Sequence, residues 1–141
     1  FRKYHLSNSN IRAWDPKPSN LEKTLFDSVE HVLKERNETD LLSELLLKLG
    51  LDMCVPVSAR TIAGREIYSV ADGVLIACLV PSIDSDDVEA LAAGIVEWHR
   101  ELSPHVSTTC VFLDNAFSDD VAKVNLTAIL QQHGIKNVRS L

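Results

Sequence analysis

The sequence predicts an α/β domain in which an N-terminal helical pair precedes a small mixed β-sheet packed with helices, in the order β-hairpin, then α-β-α-β. Three observations predict it. Leucines and valines recur at helical spacing as far as Gly50, and from Cys54 onward the period becomes that of strands. Asp72-Gly73 separates two apolar runs in the manner of a tight hairpin, because Gly tolerates the positive φ such turns demand. Beyond it, two amphipathic stretches alternate with the short runs TTCVFL and KNVRSL, an order that suits an α/β sandwich with parallel later strands.

The opening FRKYHLS has no cleanly apolar side and suits an edge strand or an arm. SNSNIRAWDPKPSN is rich in turn formers and reads as a linker. Residues 1–18 are therefore read as an arm and linker leaving an upstream region, and residues 19–141 as a C-terminal α/β domain. Ser19-Asn20-Leu21-Glu22 forms a capping box behind Pro18. It opens a helix with Leu21, Leu25, Val29, Val32 and Leu33 along one stripe.

After the charged KERNETD, a second helix spans DLLSELLLKLGL and stops at Gly50. Leu41, Leu42, Leu45, Leu46 and Leu49 make one broad face, and Leu47 lies off it. A short helix apolar over so much of its circumference must be covered on two sides. Either its own domain sandwiches it, or part of the face meets another subunit. These six leucines are the candidate interface.

Next, CVPV is short and extended, and IAGREIYSV and GVLIACLV read as two strands, with Gly64 and Gly73 in strand connections. VLIACLV is nearly continuous in apolar residues, as a central strand buried on both faces would be. A helix runs from about Asp86 to Leu102, with Val88, Leu91, Ala92, Ile95, His99 and Leu102 on one stripe and Gly94 placed for close packing. The strand TTCVFL follows, then a helix from Ser118 to about His133 that stops at Gly134, then the strand near KNVRSL.

At 141 residues, 45% hydrophobic and 24% charged, the chain has the length and balance of one globular domain with a real core. It opens on Phe, so we expect a piece of a longer protein whose main activity lies upstream. No apolar run approaches the roughly 20 residues that a membrane span needs, so no membrane partner is expected. Cys54, Cys78 and Cys110 are far apart and lack zinc spacing. They read as reduced thiols of an intracellular, cytoplasmic protein. A net charge of −6 argues against a body that grips DNA through phosphates. The basic N-terminal arm, with Arg2, Lys3, Arg12 and Lys17, is where nucleic acid would be met.

Asp114 closes an apolar run, where α/β proteins often bind ligands, and Asp119 and Asp120 follow closely. Ser118-Asp119-Asp120 equally makes an N-cap with acids in the first helical turn, where exposed N–H groups and the helix dipole favour them. The alternative, a small metal-dependent nuclease or hydrolase domain centred on Asp114, would need a second acid and a Lys, with Asp72 and the Glu66 region as the available acids. Asn125 lies beside the core-facing side of the last helix and is expected to bond a backbone group, in the Asp114 turn for instance, with a ligand-binding role as the alternative. His99 and His105 read as packed or solvated residues. Asp15-Pro16-Lys17-Pro18 is similar to an aminomethyltransferase Asp-Pro-Pro-Tyr motif but lacks its adjacent Pro and its aromatic residue. With 5 Gly in the chain, no phosphate or cofactor loop is present.

The tail VFLDNAFSDDVAKVNLTAILQQHGIKNVRSL resembles the C-terminal end of the modification (Mod) subunits of type III restriction-modification systems. There a Val-Phe-Arg-Asp-Ser-Gly-Phe-like segment leads to Asp-Asp, then Lys-x-Asn, then a final Val-Arg-Ser-hydrophobic. The chain matches at Val111, Phe112, Asp114, Phe117, Asp119, Asp120, Lys123, Asn125, Val138, Arg139 and Ser140. It departs at Leu113, where the family often has Arg, and at Asn115 and Ala116. FRKYHLSNSNIRAWDP and the stretch from LLSELLLKLGLDMCVPV through the hairpin are similar to the preceding parts of those subunits. The resemblance implies a DNA adenine-N6 methyltransferase that uses S-adenosylmethionine bound upstream, contacts DNA mainly through upstream domains, pairs as a homodimer and partners a restriction (Res) subunit. It implies that this fragment binds no cofactor and serves Mod pairing, Res docking or both. Asp114, Phe117, Asp120, Lys123 and Asn125 would then have structural roles.

Overall fold

A computed structural model describes residues 3–10 and 37–141 of the chain. The expected first helix, most of the linker, the boundary at residues 18 and 19, and Arg2, Arg12 and Lys17 of the basic arm lie outside the described residues. The chain divides into two compact units, Phe1–Cys54 and Val55–Leu141.

In the first unit, helix α1 spans Glu38–Lys48. It begins on a reciprocal capping box: the Asn37 side chain accepts from Asp40 N–H, and the Asp40 carboxylate accepts from Asn37 N–H. Residues 3–9 take no strand pairing and run as an arm. The arm is held by Glu44, whose carboxylate accepts from the Ser9 hydroxyl and from Asn10 N–H at 2.6 Å. Asn10 Nδ2 also donates to the Asp40 carbonyl at 2.9 Å, and the Tyr4 hydroxyl donates to Met53 C=O at 3.1 Å.

The second unit is of the α/β class, as the sequence predicts. Its strands are β1 (Val57–Ile62), β2 (Arg65–Val70), β3 (Leu75–Cys78), β4 (Thr109–Phe112) and β5 (Asn137–Ser140). They form one five-stranded mixed sheet in sequence order. β1/β2 and β2/β3 are antiparallel, and β3/β4 and β4/β5 are parallel. Helix α2 (Val88–Leu102) returns the chain from β3 to β4, and α3 (Asp120–Gln132) returns it from β4 to β5. Both crossovers advance in the same direction, which with right-handed connections places both helices on one face. The two helices do pack against each other.

Register assigns the residues on each side. The face that carries Ile62 continues through Ile67, Ile76, Cys78, Cys110 and Phe112, of which all but Ile62 are at most 2% exposed. Ile67, Ile76 and Phe112 each contribute about 1.5–3 kcal/mol by burial. On the opposite face Val70, Leu75, Ala77 and Val111 are buried too, so β3 is buried on both sides, as its unbroken apolar run predicts. Cys78 and Cys110 are buried, Cys54 is exposed, and no disulfide joins any of the three.

One element differs from expectation. IAGREIYSV is not a single strand, because Ala63 and Gly64 take φ of 50° and 72° and close a two-residue hairpin between β1 and β2, which puts Gly64 in a strand connection as expected. Residues 58–61, to which the sequence pattern gives no strand, form most of β1. The Asp72-Gly73 turn stands as expected in the β2–β3 connection, with positive φ at Ala71, Asp72 and Gly73. Gly73 has a second reason to lack a side chain, since a Cβ there would lie 3.3 Å from Leu102 Cβ. Gly94 lets α2 descend onto β1, because a methyl at that position would collide with the Ile62 side chain.

Candidate functional site at the carboxyl ends of the parallel strands

β4 ends in the buried Phe112, the buried Leu113 follows, and the chain then turns through a single 3-10 turn, Asp114–Ala116. Lys123, from the first turns of α3, places its ammonium on Asp114 Oδ1 and reaches Ser140 Oγ at 3.4 Å. The backbone closes the same place: Leu141 N–H donates to Phe112 C=O at 2.8 Å, and Asp114 N–H donates to Leu141 C=O at 3.0 Å. Phe117 sets its ring 5.8 Å from that of Phe112 at 57°, a tilted aromatic pair. Asp114, Phe117, Lys123 and Ser140 thus converge on one corner, where they tie β4, α3 and β5 together.

The loop after β3 joins this corner. Ile83 pairs with Phe117 as an isolated parallel bridge, with Ile83 N–H donating to Ala116 C=O at 2.6 Å. Ser85 Oγ lies 2.8 Å from Ser118 Oγ and donates to Asp119 Oδ2 at 2.9 Å. Asp119 Oδ1 accepts from Ala122 N–H at 2.6 Å, so Asp119 caps α3 where the sequence pattern favours Ser118. The Ala122 N–H first, and then the Ser85 hydroxyl, hold the Asp119 carboxyl below its usual range. Asp120 stands exposed in the first turn of α3, at the positive end of the helix dipole.

Asn125 makes no hydrogen bond to the residues of this corner. α3 buries only the narrow stripe Ala122, Leu126 and Leu130, which leaves Asn125 exposed. It lines an open groove of about 660 Å³ between the start of α2 and α3, with Asp86, Glu89, Val121, Ala128 and Gln132. The expected bond from Asn125 to the Asp114 turn is not formed.

The acids available to accompany Asp114 are not brought to it. Asp72 precedes β3, at the opposite end of the parallel strands from Asp114. Glu66 lies on β2, two strands from β4, and accepts from the Tyr68 hydroxyl at 2.9 Å. Among the described residues, no three His, Cys, Asp or Glu side chains are grouped to hold a metal ion.

The six candidate interface leucines separate into two groups. Leu41, Leu42, Leu45 and Leu46 are buried at 2–5% exposure, whereas Leu47 is 65% and Leu49 36% exposed. His99 is half-buried, and burial, then the Arg100 charge, push its pKa down. His105 is exposed.

Two polar clusters have no signature in the sequence. Arg65 donates to Asp87 Oδ2 at 2.8 Å and to the Ser82 carbonyl at 3.0 Å, which fastens the loop after β3 to the start of β2. Arg60 donates to Glu101 Oε2 at 2.6 Å with its guanidinium 5.2 Å from the Trp98 ring centroid. Its partners lie 38 and 41 positions away along the chain, beyond any local pattern. Comparison with protein-family models, with curated proteins and with solved structures finds no match.

Proposed function

We propose that this chain is a non-catalytic assembly domain of a type III restriction-modification DNA methyltransferase, serving Mod subunit pairing, docking of the restriction subunit, or both. In this reading the parent protein methylates adenine N6 with S-adenosylmethionine bound upstream, contacts DNA mainly through upstream domains, and works in the cytoplasm. One observation carries the reading. The matched residues Asp114, Phe117, Lys123 and Ser140, spread along the tail, gather at the corner that closes β4, α3 and β5. Each has an architectural partner there: an ion pair, a ring contact or a hydrogen bond. Asp119 is likewise occupied as a helix cap.

The exposed Leu47 and Leu49 are the candidate leucines open to a partner on α1. The test is a pull-down of the restriction subunit by this chain, beside an assay for Mg²⁺- or Mn²⁺-dependent DNA cleavage. Retention of the restriction subunit, weakened by Leu47→Glu/Leu49→Glu, is the expected result. Metal-dependent cleavage that Asp114→Asn abolishes would replace this reading with that of a small nuclease domain centred on Asp114.

A further inference from the structure

β1 is the edge strand of the sheet, and among the described residues nothing pairs with its outer row of hydrogen-bonding groups. Residues of an antiparallel strand alternate between bonding one neighbour and bonding the other side. Ala71 N–H donates to Pro56 C=O at 2.9 Å, so Pro56 bonds inward, and Ser58, Arg60 and Ile62 share its parity. Val57, Ala59 and Thr61 therefore turn N–H and C=O outward. Ser58, Ala59, Arg60 and Thr61 are all exposed. Among the described residues, no hydrogen bond from outside the sheet covers Val57, Ala59 or Thr61.

Sheets guard such an edge with an outward charge, a Pro, a bulge or a covering segment. β1 contains no Pro, and its register with β2 runs without a bulge. Its single charge, Arg60, is turned back onto Glu101 and Trp98 of α2. The other edge, β5, is shorter at four residues and carries the exposed Arg139.

We infer that β1 pairs antiparallel with β1 of a second copy across a two-fold axis at Ala59, joining two five-stranded sheets into one. An axis perpendicular to the sheet keeps each face continuous, so Ala59 opposes the partner's Ala59 and Val57 opposes the partner's Thr61. Every outward-bonding residue then meets an outward-bonding residue, giving three hydrogen-bonded pairs that each exchange two bonds. Ser58 opposes the partner's Arg60, so no like charges meet. An axis at Arg60 would set the two guanidinium groups opposite each other and leave only two bonded pairs. A strand centred on a small residue is thus complementary to itself, as an isologous interface requires. The inference rests on the pairing reading above and gives it a surface.

The test is disulfide cross-linking of Ala59→Cys in a Cys54→Ser background, in which the remaining thiols are buried. Directly opposed bonded residues have Cα atoms about 5.5 Å apart, within the roughly 4.4–6.8 Å that a disulfide spans. Mild oxidation should give a reducible dimer from Ala59→Cys and none from Ser58→Cys, whose counterpart is Arg60. Light scattering of Ala59→Pro is run alongside, because Pro removes an outward N–H without touching the ladder to β2. The expected mass is that of one chain, against two for the unmodified protein. A dimer that Ala59→Pro leaves intact, with no cross-link from Ala59→Cys, would overturn the β1 surface and leave the association reading standing. A single-chain mass at every concentration, with no retention of the restriction subunit, would overturn both. If Ala59→Pro does not fold, the contrast between the two cysteine variants decides.

Discussion

Leu46 and Leu47 are adjacent in sequence and opposite in environment, at 2% and 65% exposure. Leu46→Ala removes core contacts and should cost about 2–5 kcal/mol, whereas Leu47→Ala should stay within about 0.5 kcal/mol. Urea midpoints of the two variants check this. Any interface test on α1 must therefore change Leu47 and Leu49, because Glu at Leu42 or Leu46 would bury a charge. Asp114 and Lys123, whose side chains are 51% and 37% exposed, form a surface pair. Deleting either should cost less than about 1 kcal/mol, whereas a catalytic pair would show itself by loss of metal-dependent cleavage in Asp114→Asn. At this scale a local pattern carries no information about distant partners. Nothing local could show that Lys123 reaches Ser140, 17 positions on, or that Asn125 looks away from the turn.

Elements were legible where one face is buried. β3, β4 and the last two helices announce themselves by apolar runs and stripes, because tertiary burial and local pattern coincide there. β1 was not legible, since an edge strand exposed at Ser58, Ala59, Arg60 and Thr61 has no hydrophobic alternation to read. Gly94 gives the test at this scale. Helix propensity alone would make Gly94→Ala stabilising by up to about 1 kcal/mol. The collision with Ile62 opposes this, and overpacking typically costs about 1–3 kcal/mol, so the variant should be less stable. Ile62→Ala opens the space, so the double variant should lie closer to Ile62→Ala alone than additivity predicts.

For the whole molecule, the titrating groups set a pH optimum. The carboxyl of Glu44 sits low because the Ser9, Asn10 and Lys48 bonds outweigh its burial. That of Glu101 sits low through Arg60, that of Asp119 through Ala122 N–H and Ser85, and the His99 imidazole through burial. Each lowered pKa means that the unfolded chain binds the proton first. Stability should therefore fall as pH drops below the usual His value of 6.5, and more steeply through the usual carboxylate values of 4.5 and 3.8. Burial pushes the Cys110 thiol up from 9.0, so above that pH the unfolded chain loses its proton first and stability falls again. Thermal midpoints across pH should trace this dome, and Asp119→Asn should flatten its acid limb.

The central claim is association in place of chemistry, and solution mass tests it most directly. Light scattering across a concentration series, with and without the restriction subunit, should report a two-chain species alone and a larger one in the mixture. A single-chain mass throughout, unchanged by the restriction subunit, would contradict the account.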